Sequence, residues 1–257
     1  MTIRYAALDL DGTLIDEADQ PYDGIVGGLG ALRARGVLPI VVTGRAARSV
    51  RNLVHLDELF GQVDDAVLVS EGNSRLDRRA NRLDCLRTCP PEALARLLAD
   101  PAADLVAESS GEFHATTARA AAQFAMAYRL PRRQIGINAR ALSTRARLTA
   151  ITVFRGEIPA DLGCAVEPIG PFGARVVRPS GTGKAAALAR HLRERFGEPD
   201  LSRTLAVGDG ASDVPMLSAC AVSAAPERAD RVAAAAATHH LRGDLAAFLN
   251  DFRPEGS

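Results

Sequence analysis

The sequence carries no surplus of either charge. Its 257 residues contain 31 Lys plus Arg and 31 Asp plus Glu, so the formal net charge is +0. A protein that neutralises many nucleic-acid phosphates needs a basic excess. Because this excess is absent, we expect no nucleic-acid partner.

Long apolar runs are also missing. No window is apolar enough to span a bilayer. Asp9 and Asp11 interrupt the N-terminal stretch, where a signal peptide needs a longer apolar segment. We therefore expect a cytoplasmic protein without a membrane partner.

Cysteine is scarce. Four cysteines, Cys85, Cys89, Cys164 and Cys220, form no C-x-x-C pair and are too few for a disulfide scaffold in a chain of this length. On a helix, Cys85 and Cys89 would share one face, which leaves a metal role open. We prefer the alternative that these thiols are buried or idle.

The composition is that of an ordinary globular protein, with 47% hydrophobic and 24% charged residues. A chain of 257 residues is near the practical limit for one hydrophobic core. We therefore expect two unequal domains, each with a core of its own.

The first third of the chain alternates between two periodicities. Residues 5–10, 37–42 and 66–70 are short apolar runs that predict buried strands. Helical spacing predicts one helix that ends at Gly36 and another across residues 50–56. This alternation is typical of doubly wound α/β proteins with a mostly parallel sheet.

The pattern changes at about residue 83 and returns after residue 178. The predicted elements between these points are helices at 92–99 and 118–128 and strands at 147–154 and 175–178. A helix from Lys184 to about Phe196 and a strand at 204–207 then resume the alternation. We interpret residues 1–82 and 179–257 as a Rossmann-like core and residues 83–178 as an inserted α+β cap domain.

Two carboxylates, Asp9 and Asp11, follow the first predicted strand. Active sites of α/β proteins gather at this edge of the sheet. One carboxylate can attack a phosphate ester, while its neighbour protonates the leaving oxygen and later deprotonates water. The alternative is an acidic turn that only ends the strand, because Asp-Gly is common in turns.

A second acidic segment, Gly208-Asp209-Gly210-Ala211-Ser212-Asp213, follows another predicted strand. Its carboxylates should meet the first pair at the same edge. Such a cluster is unfavourable without a cation, and hard oxygen ligands are those that Mg²⁺ prefers. The structural alternative is a glycine-rich turn with Asp213 in the first turn of a helix.

Thr43 and Lys184 complete a possible phosphate site. The Thr43 hydroxyl and the backbone N–H groups after it can hold phosphate oxygens, and the Lys184 ammonium can offset the negative charge. Either residue alone could instead be a helix cap or a solvated lysine. Gly183-Lys184 does not form a P-loop, because Ala185 follows the lysine and Arg178 occupies the first glycine position.

Together these segments resemble the motifs of the haloacid dehalogenase superfamily of phosphohydrolases. In chain order they are Asp9-Leu10-Asp11-Gly12-Thr13, Thr43-Gly44-Arg45, Lys184, and Gly208-Asp209-Gly210 with Asp213. The long insertion between the second and third motifs is similar to that of the Cof-like subfamily. The resemblance covers most of the core, whereas in the insertion it rests on size and position.

The resemblance implies a role for each matching residue. Asp9 would be the nucleophile and a Mg²⁺ ligand, Asp11 the acid and base with its backbone carbonyl on the metal, and Asp209 a further metal ligand. Asp213 would orient Lys184 or a metal-bound water. The implied phosphate and substrate site is formed by Asp9, Leu10, Asp11, Thr43, Gly44, Arg45 and Lys184.

The chain departs from the family pattern at two places. Ser212 stands where many relatives have Asn, and Glu71-Gly72-Asn73 stands where Cof-like proteins often carry Asn-Gly. Asp11 argues against the dehalogenase branch, because release of a halide needs no general acid whereas release of an alkoxide does.

The resemblance predicts a phosphatase for a small phosphorylated metabolite, similar to a sugar phosphate, with the cap domain as a lid. In the insertion, His114 and the arginines at 132, 133, 140, 145 and 147 are candidate contacts for the leaving group, or simply surface residues. Alternatives are a phosphomutase or phosphotransferase, and a non-catalytic module that binds a phosphorylated ligand. We expect a monomer or a homodimer.

Overall fold

The computed structural model describes residues 2–142, 146–169 and 172–255. Arg145, a candidate contact in the insertion, lies outside the described residues. Within the described ranges the chain forms fourteen strands and nine α-helices. None of the described helices is both long enough and apolar enough to cross a bilayer.

The strands are β1 (Tyr5–Leu8), β2 (Leu38–Val41), β3 (Ala66–Val69), β4 (Ser74–Asp77), β5 (Arg82–Cys85), β6 (Asp104–Ser109), β7 (Glu112–Ala115), β8 (Ile135–Gly136), β9 (Leu148–Arg155), β10 (Cys164–Ile169), β11 (Ala174–Pro179), β12 (Thr204–Val207), β13 (Val222–Ala225) and β14 (His239–His240). The helices are α1 (Ile25–Ala34), α2 (Ala47–Arg51), α3 (Asp57–Gly61), α4 (Ala93–Leu97), α5 (Ala118–Ala127), α6 (Lys184–Phe196), α7 (Val214–Ala219), α8 (Arg231–Ala236) and α9 (Leu245–Asp251).

Internal contacts divide the chain into two compact units. The first contains the residues up to Arg45, Val50–Arg82 and the residues from Gly183 onward. The second contains Ala46–Ser49 and Leu83–Thr182. The boundaries that we predicted for the cap domain, residues 83–178, and its role as a lid stay predictions.

The first unit is built on a parallel sheet with the strand order β14-β13-β12-β1-β2. All four strand pairs in it are parallel, and Leu8 lies opposite both Val207 and Val41. β3 continues the order, because Val42 and Leu68 form a parallel bridge beyond β2. Parallel strands end at the same edge of a sheet, so the residues that follow β1, β2, β3 and β12 gather there.

Helices cover this sheet according to the alternation of its side chains. Tyr5 and Ala7 pack with buried residues of α6, α7 and α8, including Leu188 and Leu192. Ala6 and Leu8 point to the opposite face, and both are fully buried. Burial of a leucine such as Leu188 contributes about 1.5–3 kcal/mol. The predicted doubly wound α/β class with a mostly parallel core sheet is therefore confirmed.

The second unit is an α+β arrangement around a six-stranded sheet in the order β10-β11-β9-β6-β7-β8. Its pairs are antiparallel except for β7 with β8. Alternation along β6 gives it two apolar faces: Leu105 packs with residues of α4, and Val106 packs with residues of α5. Thr117 caps α5, since its hydroxyl accepts a hydrogen bond from Ala120 N at 3.0 Å.

One local prediction is wrong. The helix predicted across residues 50–56 is broken, because α2 ends at Arg51 and a separate 3₁₀ turn forms at Val54–Leu56. The buried positions, Val50, Leu53 and Leu56, are three apart, which matches the period of 3₁₀ rather than α geometry.

Cys85 and Cys89 do not share the face of a helix. Cys85 ends β5, and Cys89 lies in a non-helical connection, where its backbone N donates to Leu148 O at 2.8 Å. All four thiols are free, and Cys89 is buried. Burial raises its pKa, as expected for an idle core thiol.

Substitution of Gly72 tests how closely the loop after β3 packs on α6. Its φ is +81°, and an added Cβ would lie 2.1 Å from Ala187 Cβ. We expect Gly72→Ala to lower the free energy of unfolding by about 2 kcal/mol or more, from backbone strain and this clash. Urea unfolding followed by circular dichroism measures the loss.

Gly27→Ala is the matched control. Gly27 is an exposed residue of α1, and an added Cβ would meet nothing within 4 Å. We expect this variant to be as stable as the parent chain, or more stable by about 0.5–1 kcal/mol. Equal effects of the two substitutions would contradict the packing described here.

Candidate active site

Asp9 follows β1 at the edge where the parallel strands end. Its side chain is buried, with 7% of the residue exposed, and its backbone N donates to Val207 O at 2.9 Å. Burial raises the pKa of Asp9, which the Lys184 ammonium opposes and the Asp213 carboxylate reinforces. The backbone N–H of Leu10 also favours the ionised form.

Lys184 is the first residue of α6 and is 1% exposed. Its Nζ lies 2.8 Å from Asp9 Oδ1 and 2.7 Å from Asp213 Oδ1. Burial alone would lower the pKa of Lys184, but the charges of Asp9 and Asp213 outweigh it, and the pKa lies above its usual range. The ammonium is therefore a fixed positive charge between two carboxylates.

Asp213 organises the loop after β12. One carboxylate oxygen accepts from Lys184, and the other accepts from the backbone N of Asp209 at 3.1 Å and of Gly210 at 3.0 Å. The residue is fully buried. Both of its oxygens are thus used to orient other groups.

The Asp209 side chain contacts the turn that follows β1. Its Oδ1 accepts from the Thr13 hydroxyl at 2.7 Å. Gly12 has φ +72°, and an added Cβ would lie 2.2 Å from Asp209 Oδ2. Burial raises the pKa of Asp209, and the hydrogen bond from Thr13 works against that rise. Only a glycine at position 12 leaves room for this carboxylate.

The carboxylates of Asp9, Asp209 and Asp213 form a cluster that could hold a metal ion. One oxygen from each lies within 4.8 Å of the others. Three carboxylates face one ammonium, so a cation would relieve their repulsion. The donors are all hard oxygens, which suits Mg²⁺ rather than a soft metal. The residues present therefore fit a divalent cation.

The Asp11 carboxylate is not part of this cluster. It makes a two-pronged ion pair with Arg45, whose Nε lies 2.8 and 3.0 Å from its two oxygens. Arg45 also bonds Asp19. Burial alone would lower the pKa of Arg45, but the bonds to Asp11 and Asp19 outweigh it and raise the pKa. About half of the Asp11 side chain is exposed, 49%.

Thr43 lies at the same edge, after β2, and is fully buried. Its hydroxyl accepts from Arg45 N at 3.1 Å, which fixes the turn through Gly44. An added Cβ at Gly44 would lie 2.5 Å from Glu71 Oε1. Thr43 and Gly44 therefore lie beside the carboxylate of Glu71, a residue to which the family resemblance assigns no role.

Three residues near this edge were not among the predicted site residues. Thr13 belongs to the first motif, where the resemblance implies no role for it, and its hydroxyl bonds Asp209. Glu71 departs from the family pattern, and its charge adds to the raised pKa of Lys184.

Arg228 is the third, and it carried no sequence signal. Its Nε donates to Gly12 O at 2.6 Å and its Nη2 to Thr13 O at 3.0 Å. Its guanidinium lies 3.4 Å from the ring centroid of Tyr22. Arg228 therefore fixes the turn that carries Thr13.

Comparison with known families and structures identifies similar proteins. A model of the haloacid dehalogenase-like hydrolase family matches residues 6–73 and 142–243. The search of curated proteins finds no match.

Several solved structures have a similar fold. A haloacid dehalogenase-like hydrolase from Bacteroides thetaiotaomicron has 17% identity and a TM-score of 0.73, covering 92% of this chain and 93% of that chain. A sugar phosphatase of HAD subclass IIB has 19% identity and a TM-score of 0.71, covering 92% of each chain. A protein from Thermotoga maritima has 17% identity and a TM-score of 0.75, covering 92% and 91%.

Lys184→Met tests the buried ion pairs. The substitution keeps an unbranched side chain but leaves Asp9 and Asp213 without their shared cation. We expect the free energy of unfolding to fall by about 3–5 kcal/mol, measured by urea unfolding.

Arg190→Met on the same helix is the control. Arg190 pairs with Glu194 at 2.7 Å, and the two side chains are 44% and 40% exposed. An exposed pair of this kind contributes about 0.5 kcal/mol. If Lys184→Met lowered the free energy of unfolding by no more than this control, the ion pairs of Lys184 would not stabilise the contact of α6 with the sheet edge.

Proposed function

This chain belongs to the haloacid dehalogenase-like hydrolase family, and we propose that it is a Mg²⁺-dependent phosphatase that acts through an aspartyl-phosphate on Asp9. The observation that carries the proposal is the buried contact of Asp9 with Lys184 at 2.8 Å, beside Asp209 and Asp213. A carboxylate in such a place is both fixed and beside positive charge.

In the first step, a carboxylate oxygen of Asp9 attacks the phosphorus of a phosphate monoester. The bond to the leaving oxygen breaks as the acyl-phosphate forms. In the second step, water attacks the phosphorus, releases inorganic phosphate and restores Asp9. The fixed position of Asp9, between the end of β1 and Lys184, supplies the orientation that such a displacement needs.

Lys184 and Thr43 would bind the transferred phosphoryl group. The reaction spreads negative charge over the phosphoryl oxygens, so donors that are already in place stabilise the transition state. Lys184 is held by Asp213 and Asp9, and Thr43 is fully buried next to the turn at Gly44. Neither group has to reorganise when the substrate arrives.

Asp9 and Asp209, with the backbone carbonyl of Asp11, would hold Mg²⁺. When bound, the ion offsets the negative charge of the phosphoryl oxygens. Asp213 has a different task, because its oxygens already accept from Lys184 and from the backbone of Asp209 and Gly210. It keeps Lys184 and the Asp209 loop in position.

Asp11 would protonate the leaving oxygen and later take a proton from the attacking water. An alkoxide leaves poorly without a proton, whereas a halide needs none, so an acid at this position favours phosphate esters as substrates. The half-exposed carboxylate of Asp11 is accessible to a substrate oxygen.

We propose a small phosphorylated metabolite, such as a sugar phosphate, as the substrate. One similar fold belongs to a protein described as a sugar phosphatase. The second unit, with its own sheet and two apolar faces, is of a size that suits a lid over a small molecule. A diffusible substrate also fits the cytoplasmic location that we expect from the sequence.

Asp9→Asn tests the nucleophile. The substitution preserves the side-chain volume and removes the attacking oxygen, so Mg²⁺-dependent hydrolysis of p-nitrophenyl phosphate should fall at least about 1,000-fold. Asp65→Asn, at an exposed position of the same unit, should retain the parent activity. Undiminished turnover by Asp9→Asn would refute the mechanism. Product analysis with a sugar bisphosphate present distinguishes hydrolysis from phosphoryl transfer to a sugar hydroxyl.

The metal assignment has its own test, which does not require turnover. Mg²⁺ at 100-fold above its Kd should stabilise the parent chain by about 2.7 kcal/mol, seen as a rise in Tm. Asp209→Asn should lose most of this Mg²⁺-dependent rise, and Asp65→Asn should keep it. A rise that is equal in all three proteins would place the ion elsewhere.

A further inference from the structure

The Arg45 guanidinium is shared by two carboxylates from one short stretch of chain. Its Nε lies 2.8 Å from Asp11 Oδ2 and 3.0 Å from Asp11 Oδ1. Its Nη2 lies 2.5 Å from Asp19 Oδ1. The Arg45 side chain therefore links Asp11, the proposed general acid and base, to Asp19 in the turn that follows.

Asp19 is fixed by a turn that its neighbours build. The Asp16 carboxylate accepts from the backbone N of Ala18 and of Gln20, both at 2.8 Å. The carbonyl of Asp19 accepts from His55 Nε2 at 2.8 Å. Its φ of +59° lies in the left-handed region, which aspartate tolerates better than most residues.

Stability alone does not account for this arrangement. The side chains of Asp11, Asp19 and Arg45 are 49%, 38% and 20% exposed, and exposed ion pairs contribute little to folding. A catalytic side chain at the surface does, however, gain from being held in one place.

We propose that Asp19 is a positioning residue: it anchors Arg45, and through Arg45 it fixes the carboxylate of Asp11 at the rim of the site. The proposal rests on the proposed function, in which Asp11 handles the proton of the leaving oxygen. Asp19 restricts the conformations of the Arg45 side chain, so that Arg45 holds the Asp11 carboxylate in one position.

This role predicts a dependence on the leaving group. p-Nitrophenolate leaves without a proton, whereas an alkoxide requires one from the acid. Loss of Asp19 should therefore lower kcat/KM for alkyl phosphates and leave kcat/KM for aryl phosphates nearly unaffected, because kcat/KM covers the reaction up to departure of the leaving group and not the later attack of water. If Arg45 served only to bind the phosphoryl group, loss of its anchor would affect both kinds of ester equally.

The experiment measures kcat/KM for p-nitrophenyl phosphate and for a hexose 6-phosphate. Asp19→Asn should lower the value for the hexose phosphate about 10-fold, a part of the 10²–10⁴ that general acid catalysis contributes, and the aryl value by less than about 2-fold. Asp19→Glu retains the charge and should recover most of the loss. Asp23→Asn, an exposed substitution a few residues further on, is the control and should change neither value.

A double-mutant cycle tests the route through Arg45. In an Arg45→Ala background, Asp19→Asn should have no further effect on kcat/KM for the hexose phosphate, because the proposed route through Arg45 is gone. Additive losses would overturn the proposal. Melting curves establish that each variant folds, and Asp19→Ser serves for the same comparison should Asp19→Asn not fold.

The two levels of inference fail in different ways. A parent chain that hydrolyses neither ester in Mg²⁺ would overturn the proposed function and this proposal with it. An active parent chain in which Asp19→Asn slows both esters by one factor, or neither, would overturn only the role of Asp19.

Discussion

The contact on which the site depends is that of Lys184 with Asp9 and Asp213. A charge that is 1% exposed must be paired, because leaving it unpaired in the interior costs several kcal/mol. The pairing joins the end of β1, the start of α6 and the loop after β12, which are distant in sequence. A single ammonium group therefore links these three segments at the sheet edge.

The turns around this contact are shaped by how closely carboxylates approach the backbone. Asp209 occupies the space that a side chain at residue 12 would fill, and Glu71 does the same at Gly44. Thr13 and Arg228 then fix the turn at Gly12 by a hydrogen bond to Asp209 and bonds to carbonyl oxygens. These polar contacts act together with apolar packing, since Leu10, Leu14 and Ile15 of the loop after β1 are fully buried.

Much of this could be predicted from the sequence, because strand ends in a parallel sheet must share an edge. Short apolar runs followed by Asp9, Thr43 and Asp209 are sufficient to predict that these residues lie at that edge. Side-chain pairing could not be predicted in the same way. The pairing of Asp11 with Arg45 depends on side-chain rotamers and on the turn at Asp19. The contact of Arg228 with Gly12 joins residues that are 216 positions apart in the sequence. The break between Arg51 and Val54 is not predicted, because over so short a segment a spacing of three, which is the 3₁₀ period, differs too little from the α period of 3.6.

The carboxylates at this site differ in whether a cationic side chain is paired with them, and this difference indicates where a metal ion would bind. Asp9 and Asp213 share Lys184, and Asp11 is paired with Arg45. Asp209 is bonded by a neutral hydroxyl, that of Thr13, and among the described residues it has no ion-pair partner. Partial burial raises the pKa of this carboxylate, and the charges of Lys184 and Arg228 offset only part of that rise. One of its oxygens lies within 4.8 Å of the Asp9 and Asp213 oxygens, where a divalent ion would be shared with the proposed nucleophile.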